Sequence, residues 1–450
     1  MPEALLNFMV LDFAPLLAGL LAAVSCGLLG NFLVLRKLSL MGDAISHSVL
    51  PGLVIAFLIA QSRAPVPMLL GALAAGVATV VLVELLKRLG KLEPGAAMGV
   101  VFSVLFALGV LLLEHGALRG MDLDADCVLH GQIEYRIWAA APADLTAYLS
   151  IETWATAPVQ LRILLISLVV SAVFVTLFFK ELRISSFDPQ ASTAAGISAP
   201  VMHYALMIVV AVATVASFEA VGSILVIAML ICPAATARLL TDRLKSQLWV
   251  SVGVAATSAV GGYYAGAFVP RLFGLDAVNA AGAITVVSGL LLLLAVLFSP
   301  WHGVIARAVR RRKVRRDVLR DDLLGALYRI EESGEGGANL ADLRAVLGSG
   351  AQLAVRTASR QGLVAGEGER VGLTEKGRAE SAGLIRRHRL WEHYLVGEAG
   401  FRPDHVHETA ERLEHLREET PRKGPDSDPH GRPIPPESEA EGTGPDRPGA

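Results

Sequence analysis

The sequence has 450 residues, of which 53% are hydrophobic and 18% are charged, and its mean hydropathy is +0.52. This composition is too apolar for an ordinary soluble protein of this size, so it excludes a wholly soluble chain. The formal net charge of −2 says little by itself, because basic residues crowd into residues 307–320 while acidic residues dominate the far C-terminus. Three cysteines without a CxxC spacing imply neither a disulfide framework nor a zinc knuckle.

The chain divides into a membrane part and a soluble part. Nearly all long apolar runs lie before Pro300, and from Arg307 onward the composition is that of a soluble protein. We therefore predict a transmembrane domain over residues 1–305, followed by a basic juxtamembrane linker over residues 306–320. The N-terminus lacks a basic region and a cleavage site ahead of its first apolar stretch, which is therefore predicted to be a retained span.

The membrane part is predicted to be an all-α polytopic domain with about eight or nine transmembrane helices, because a crossing needs about 20 apolar residues. One pair of spans, within residues 198–237, has an alternative, since Glu219 between them can mark a re-entrant turn that protein shields from lipid. The nine candidate spans are residues 13–35, 43–60, 64–83, 94–113, 163–179, 198–218, 220–237, 246–270 and 277–301.

Lysine and arginine residues set the predicted orientation. The loops after the odd-numbered spans carry the basic groups, beginning with Arg36 and Lys37 and ending with the cluster at residues 307–320. The loops after the even-numbered spans are poorer in basic residues. By the positive-inside rule, the N-terminus is expected outside the cell and the soluble part in the cytoplasm.

Two residues with metal-binding side chains lie one helical turn apart near the start of the second span. Asp43 and His47 occur in the stretch NFLVLRKLSLMGDAISHSVLPG. On a helix they share one face, about 6 Å apart at Cβ, so that a carboxylate and an imidazole can converge on one cation. Mixed oxygen and nitrogen ligands favour manganese, iron or zinc over magnesium or calcium. The alternative is an Asp–His hydrogen bond that only joins helices.

This stretch resembles the second-span signature of the zinc, manganese and iron class of metal-uptake ABC transporter permeases. The same family's pattern returns as SFDPQASTAAGI at residues 186–197 and as EAVGSILVIAMLICPAATARLL at residues 219–240. The resemblance therefore covers residues 10–300. It implies that Asp43 and His47 form a metal site along the transport path.

The resemblance also implies partners. The chain has no GxxxxGK[ST] loop to cradle nucleotide phosphates, so we predict a transport subunit that binds no nucleotide and is not an enzyme. ATP hydrolysis would come from a cytoplasmic ABC ATPase, and metal from an extracytoplasmic metal-binding protein. A second permease copy or a paralogue would complete the importer in the lipid bilayer of the bacterial inner membrane. The coupling helix that docks on the ATPase, whose alternative is an ordinary short loop, would contain Phe187, Asp188, Pro189 and Gly196.

The soluble part is predicted to be an α+β winged-helix domain followed by helices. Apolar spacing predicts helices over residues 321–332, 340–347 and 351–361, and a short two-stranded wing over 363–373, within a winged-helix-like domain at 321–380. The later sequences LTEKGRAESAGLIRRHRLWEHYLV, VHETAERLEHLREE and DPHGRPIP resemble the iron- and manganese-dependent repressor family. This resemblance implies metal-binding or dimerisation-like helices at 381–420, and the tail at 421–450 is predicted to be largely disordered apart from the PHGRPIP segment.

The same resemblance implies a regulatory divalent metal in the soluble part. The family commonly has a further acidic ligand three residues after the position of Asp322. Gly325 stands there in this sequence, so that ligand is missing. The helix at residues 351–361, which would be the recognition helix of a winged-helix domain, offers only Arg356 and Arg360 as basic donors, and this argues against DNA binding. We favour a metal sensor or dimerisation module. The implied ligands, whose alternative is a solvated helix face, are Asp322, His388, Glu411, Glu414 and His415.

The sequence thus predicts the permease subunit of an ABC importer for Mn²⁺, Zn²⁺ or Fe²⁺, with a cytoplasmic metal-responsive domain. Two alternatives remain, a membrane-tethered metal-dependent transcriptional regulator and a proton-coupled secondary metal transporter. An Asp and a His suit all three metals, so the pair does not name the ion. For His203 and Glu219 we favour helix contacts over a role in transport.

Overall fold

The computed structural model describes residues 11–62, 64–114, 133, 138, 150–276, 278–367, 370–413 and 426–437. The chain forms two compact units, Met1–Ala306 and Arg307–Ala450. All the secondary-structure elements described in the first unit are helices. Its helices are α1 (Phe13–Leu35), α2 (Met41–Ala60), α3 (Pro65–Leu89), α4 (Pro94–Glu114), α5 (Ile151–Thr156), α6 (Val159–Leu177), α7 (Phe179–Phe187), α8 (Pro189–Ala194), α9 (Ala199–Val221), α10 (Ser223–Leu240), α11 (Leu244–Leu272) and α12 (Ala280–Phe298).

In the described part of the chain, nine helices are long and apolar enough to cross a membrane, which confirms the predicted all-α polytopic domain. They are α1 to α4, α6 and α9 to α12. Residues 198–237 form two separate helices, because the chain breaks at Gly222, whose φ of 82° only glycine adopts without strain. Both helices of this pair have the length and hydropathy of a span.

Helix α1 lies at the centre of the first unit. About three quarters of its apolar window is buried, and it packs against α6, α9, α10 and α11. The closest approach is to α10 at Gly30, where an added methyl group would collide with the Leu230 carbonyl oxygen. Small residues at such crossings let helix backbones approach, which supplies much of the association energy inside lipid.

Helix α2 is held in a similar way between α3 and α4. Gly52 of α2 faces Gly71 of α3 so closely that a side chain on either would strike the other's carbonyl oxygen. Pro51 lies within α2 and removes one backbone donor there. The contact between the two glycines therefore fixes the helix that carries Asp43 and His47.

The second unit contains a three-stranded antiparallel sheet in the order β1-β3-β2. Val364 pairs with Leu373 and Glu367 with Arg370, while Ala338 of the first strand pairs with Val371. The predicted helices and the two strands of the wing occur in the predicted order, and β1, which the sequence analysis did not predict, adds a third strand. In chain order the elements are α13 (Val304–Glu332), β1 (Ala338–Asn339), α14 (Leu340–Leu347), α15 (Ala351–Arg360), β2 (Val364–Glu367), β3 (Arg370–Leu373), α16 (Glu375–Gly397) and α17 (His407–Leu413).

The alanines of α15 form its buried face. Ala351, Ala354 and Ala358 are fully buried, and they pack with leucines of α13 and α14 in the core of this unit. Arg356 and Arg360 are exposed on the other side of the helix. The alanine-rich composition therefore reflects packing, while the exposed face carries the two basic residues.

The DPHGRPIP segment, within the tail predicted to be largely disordered, docks onto α16. Arg386 donates to the Pro435 carbonyl at 2.7 Å, and Arg389 donates to the Pro433 carbonyl. Asp428 caps its own turn by accepting from the backbone N–H groups of His430 and Arg432. Residues 426–437 therefore have a defined place against the helix.

Candidate metal sites

The predicted pair in the membrane unit lies on one helix face, at the start of α2. The His47 Nε2 atom is 3.2 Å from the Asp43 Oδ1 atom, and about a third of each side chain is exposed. Asp43 lies in the first turn, where the partial positive charge of the helix N-terminus stabilises a carboxylate. The two potential ligand atoms are therefore close enough to bind one cation, and neither side chain is buried.

Aromatic rings of α4 flank this pair. The rings of Phe102 and Phe106 lie 5.8 and 6.1 Å from the His47 imidazole, measured between centroids. Apolar rings orient the imidazole without offering it a hydrogen bond. Among the described residues, no third histidine, cysteine or carboxylate joins the pair, so the described part of the chain offers two candidate ligands there.

The segment predicted to couple to an ATPase is a short capped helix, α8, between α7 and α9. The Asp188 side chain accepts hydrogen bonds from the backbone N–H groups of Gln190 and Ala191, each at 2.9 Å. Phe187 is 58% exposed just before the cap, and Gly196 ends the turn with a φ of 77°. We call residues 187–196 the coupling segment below. The segment therefore presents one exposed phenylalanine directly before a capped turn.

Of the two residues for which the sequence favoured helix contacts, His203 makes polar contacts with two other helices. It lies 3.3 Å from the Arg36 guanidinium and 3.5 Å from the Glu84 carboxylate. The side chain of Glu219 is outside the described residues. Glu84, which the sequence analysis did not single out, ends the uncharged run of the third span and bonds Lys87 at 2.8 Å.

A second cluster of metal-binding side chains lies in the second unit. His388 and Glu392 stand one turn apart on α16, and His407 comes from the start of α17. The His388 Nε2 atom is 3.2 Å from Glu392 Oε1 and 3.1 Å from His407 Nδ1, and the His407 nitrogen is 2.8 Å from the same carboxylate oxygen. Ligands that each lie about 2.1 Å from one ion at right angles are about 3 Å apart, so this spacing suits a single cation.

Burial and charge favour a cation at this cluster. The side chains of His388 and Glu392 are only 4% and 3% exposed, whereas His407 is half exposed and leaves an entry. Burial alone would raise the pKa of Glu392, but its hydrogen bonds with His388 and His407 outweigh burial and lower that pKa to about 2. Glu392 is therefore ionised at neutral pH, ready to bind a metal together with two imidazoles.

The regulatory ligands implied by the sequence are only partly present in this cluster. His388 belongs to it, whereas Asp322 on α13 and the exposed Glu411 on α17 are not among its three members. Glu414 and His415 lie outside the described residues. The sequence analysis missed Glu392 and His407. Glu392 could have been found from its spacing of four residues after His388, while His407 is 19 residues away and joins only through the packing of α17 on α16.

Comparison with known proteins assigns both parts of the chain. Residues 8–135 and 135–299 match the ABC 3 transport family, and residues 374–436 match the iron dependent repressor, metal binding and dimerisation domain. Together the first two matches cover well over half of the chain.

Several individual relatives match most of their own length. The chain is 40% identical over 300 residues to the manganese transport system membrane protein MntD of Bacillus subtilis (strain 168), covering 66% of this chain and 96% of the relative. It is 35% identical over 368 residues to the zinc transport system membrane protein TroD of Treponema pallidum (strain Nichols), covering 80% of this chain and 95% of that protein.

Among solved structures, PsaBC from Streptococcus pneumoniae in complex with Fab aligns with a TM-score of 0.52 at 27% identity. The alignment covers 67% of this chain and 98% of that one. The family match, the curated relatives and the fold agree on residues of the first unit. The protein therefore belongs to the ABC 3 transport family of membrane permeases, and it carries a C-terminal domain of the iron-dependent repressor type.

Proposed function

We propose that the chain is the permease subunit of an ABC importer that moves Mn²⁺, Zn²⁺ or Fe²⁺ into the cytoplasm, and that its second unit senses the metal that has arrived. The observation that carries the proposal is the Asp43–His47 pair, with its ligand atoms 3.2 Å apart and one third exposed on an apolar helix. An intramembrane carboxylate is costly and is usually functional. The relatives named for manganese and zinc transport support a transition-metal cargo.

The two ligands at this site suit a cation in transit. A bound first-row metal takes four or more ligands, so water or the second permease copy would complete its coordination here. A site in a transport path must bind well enough to admit the ion and weakly enough to release it. A partly exposed pair on one helix meets both requirements.

The proposed orientation and partners follow from the loops. Basic residues after the odd-numbered spans support an orientation with the N-terminus outside and the second unit in the cytoplasm. The coupling segment then faces the cytoplasm, where an ABC ATPase would dock. An extracytoplasmic binding protein would deliver the metal to the other side.

The proposed regulatory site is the cluster of His388, Glu392 and His407. Two imidazoles and one carboxylate are suitable ligands for manganese, iron or zinc, and a bound ion would join α16 to α17. The ion would act there by holding these two helices together. Whether the readout is transport or gene expression depends on partners outside this chain, and DNA is a further candidate partner.

The test is uptake of Mn²⁺, Zn²⁺ and Fe²⁺ by liposomes that contain the full chain with its ATPase subunit. We expect uptake of one or more of these ions to require ATP, and Asp43→Ala and His47→Ala to abolish it while the complex still assembles. His302→Ala is the control, because His302 is exposed at the end of α12 and pairs only loosely with Asp242, at 3.7 Å. Uptake driven by a proton gradient without ATP would favour the secondary transporter, and normal uptake by both variants would refute the site.

A further inference from the structure

A continuous set of polar side chains joins the two ends of the coupling segment to each other. Arg36, which caps the end of α1, donates from Nε to the Ser186 hydroxyl at 3.0 Å and from Nη2 to the Ser185 hydroxyl at 2.9 Å. Its Nη1 atom lies 3.3 Å from the His203 Nδ1 atom. The two serines end α7 just before the segment, and His203 lies near the start of α9 just after it.

The same chain of contacts continues to α3. The His203 Nε2 atom is 3.5 Å from the Glu84 carboxylate, which is held in turn by Lys87 at 2.8 Å and Arg88 at 3.3 Å. Helix α3 packs along α2, the helix that carries the metal-binding pair. A path of direct contacts therefore runs from the end of α7, next to the coupling segment, through Arg36, His203 and Glu84 to the neighbour of the metal helix.

The position of Arg36 is costly if it serves only to hold helices together. Its side chain is partly buried, and burial lowers the pKa of its guanidinium to about 10. Two hydroxyls and an imidazole are its hydrogen-bond partners, and within the described part of the chain it has no ion pair with a carboxylate. An apolar side chain would fill such a place at lower cost, since removing a charge from water is poorly repaid by neutral partners. The guanidinium's fixed fork, in contrast, can bridge three acceptors on two elements.

These residues also border open space. Arg36, Glu84 and His203 line a groove of about 970 Å³, whose wall on one side is the coupling segment, with Pro189, Gln190 and Thr193. The segment can therefore shift relative to α1 and α3 without meeting a packed core. Arg36 is the one side chain that bonds both the residues entering this segment and the helix leaving it, within the part of the chain that the structure describes.

We propose that Arg36, His203 and Glu84 are positioning residues for transport, which transmit displacement of the coupling segment to α3 and so to the Asp43–His47 pair. The inference rests on the proposed ATP-driven import. It adds a role for three side chains that touch neither the metal pair nor nucleotide. Their task is to make a movement of the segment and a movement of α3 occur together.

The test measures how much ATP is hydrolysed per ion imported by the reconstituted full complex. We expect Arg36→Gln and Glu84→Gln each to raise this ratio about fivefold or more, the size of a typical coupling between sites, while ATP hydrolysis continues. Metal binding by the detergent-purified full chain should be unchanged, because neither residue touches a ligand. Arg36→Lys should behave like Arg36→Gln, since one ammonium group cannot span three acceptors.

A double variant separates a connected chain from independent contacts. If the three residues act as one path, Arg36→Gln with Glu84→Gln should give the same ratio as either single change, because each already breaks the path. Lys37→Gln is the control. It also removes one positive charge, and Lys37 is the neighbour of Arg36 in the sequence, with an exposed side chain that lines the same groove. If Arg36→Gln fails to assemble, Glu84→Gln decides, because Glu84 reaches the segment through His203.

Two outcomes overturn the inference. A normal ratio in Glu84→Gln would do so, and so would single effects that multiply in the double variant. Either result leaves import by the wild-type protein intact, whereas failure of the proposed function would show as a wild-type complex that imports no metal with ATP. The two failures are therefore distinguishable in the same assay.

Discussion

The two carboxylate–imidazole pairs of this protein have the same spacing and different surroundings. Asp43 with His47, and His388 with Glu392, are each four residues apart on a helix, and in both the nearest nitrogen and oxygen are 3.2 Å apart. The membrane pair is about one third exposed and offers two candidate ligands among the described residues. The pair in the second unit is almost fully buried, and His407 from another helix adds a third ligand.

This difference teaches what helix spacing can and cannot decide. A spacing of four residues produces a pair of ligands wherever a helix forms. The third ligand and the degree of burial come from tertiary packing, and they determine how long a cation stays. We expect an open pair to pass metal on and a closed triad to retain it, and four experiments can break or sharpen that contrast.

The largest expected effect is on metal retention by the second unit. His388→Ala should weaken binding of Mn²⁺ or Zn²⁺ to the full chain by about 100-fold or more, since even second-shell changes cost 10- to 100-fold. Equilibrium dialysis of the detergent-purified chain, with metal analysis, measures this. Asp43→Ala should leave the retained metal unchanged, and so should His393→Ala on the same helix, the matched control. If Asp43→Ala lost the retained metal and His388→Ala kept it, the membrane pair rather than the buried triad would be the site that retains metal.

The next effect is the acid sensitivity of the triad. The folded-state pKa of Glu392, about 2, lies below its usual 4.5, so its contribution to stability is present above pH 4.5 and is lost as pH falls toward 2. The measurement is hydrogen exchange of α16 in metal-free protein. The protection factor of the wild type, divided by that of Glu392→Gln, should fall by up to about a hundredfold between pH 4.5 and pH 2. If the difference in protection between wild type and Glu392→Gln did not change with pH, the lowered pKa of Glu392 would be contradicted.

A smaller effect tests whether packing holds the open pair in place. Gly52→Leu should destabilise the membrane unit by about 2 kcal/mol, because the new side chain collides with the Gly71 carbonyl, and overpacking costs about 1–3 kcal/mol. Metal uptake should fall although both ligands remain. Gly99→Leu is the control, since a side chain there meets no atom within 4 Å. Thermal unfolding in detergent measures the first effect, and equal midpoints for both variants would show that the close contact is unimportant.

The smallest effect concerns hydroxyl contacts between spans. Ser25 of α1 lies 3.1 Å from the Ser171 hydroxyl and 3.4 Å from that of Ser167, both on α6. Ser25→Ala should cost only about 0.6 kcal/mol, the average for such bonds between membrane helices. Thr176→Ala, whose hydroxyl bonds only carbonyls of its own helix, is the matched control for the thermal midpoint. A loss of several kcal/mol would mean that polar contacts rather than packing hold this unit together.

Much of the architecture could be predicted from the sequence, because its causes are local. Five uncharged apolar runs and four shorter or interrupted ones predict about eight or nine spans, since a helix satisfies its own backbone groups, and nine helices of span length lie within the described residues. The order of the helices and of the two wing strands in the second unit follows from local periodicity in the same way, whereas β1 was not predicted. The spacing of Asp43 and His47 also placed both side chains on one face before any tertiary contact was known.

What the sequence could not decide depends on contacts between distant residues. His407 joins His388 across 19 residues only because α17 packs on α16, and the implied set of Asp322 and Glu411 gave no indication of this arrangement. Arg36 meets Ser185 about 150 residues away in the chain, so its role was invisible to any local pattern. Local sequence determined which helices form and which side chains share a face, whereas helix packing determined which faces meet, because close approach depends on the shapes of both partners.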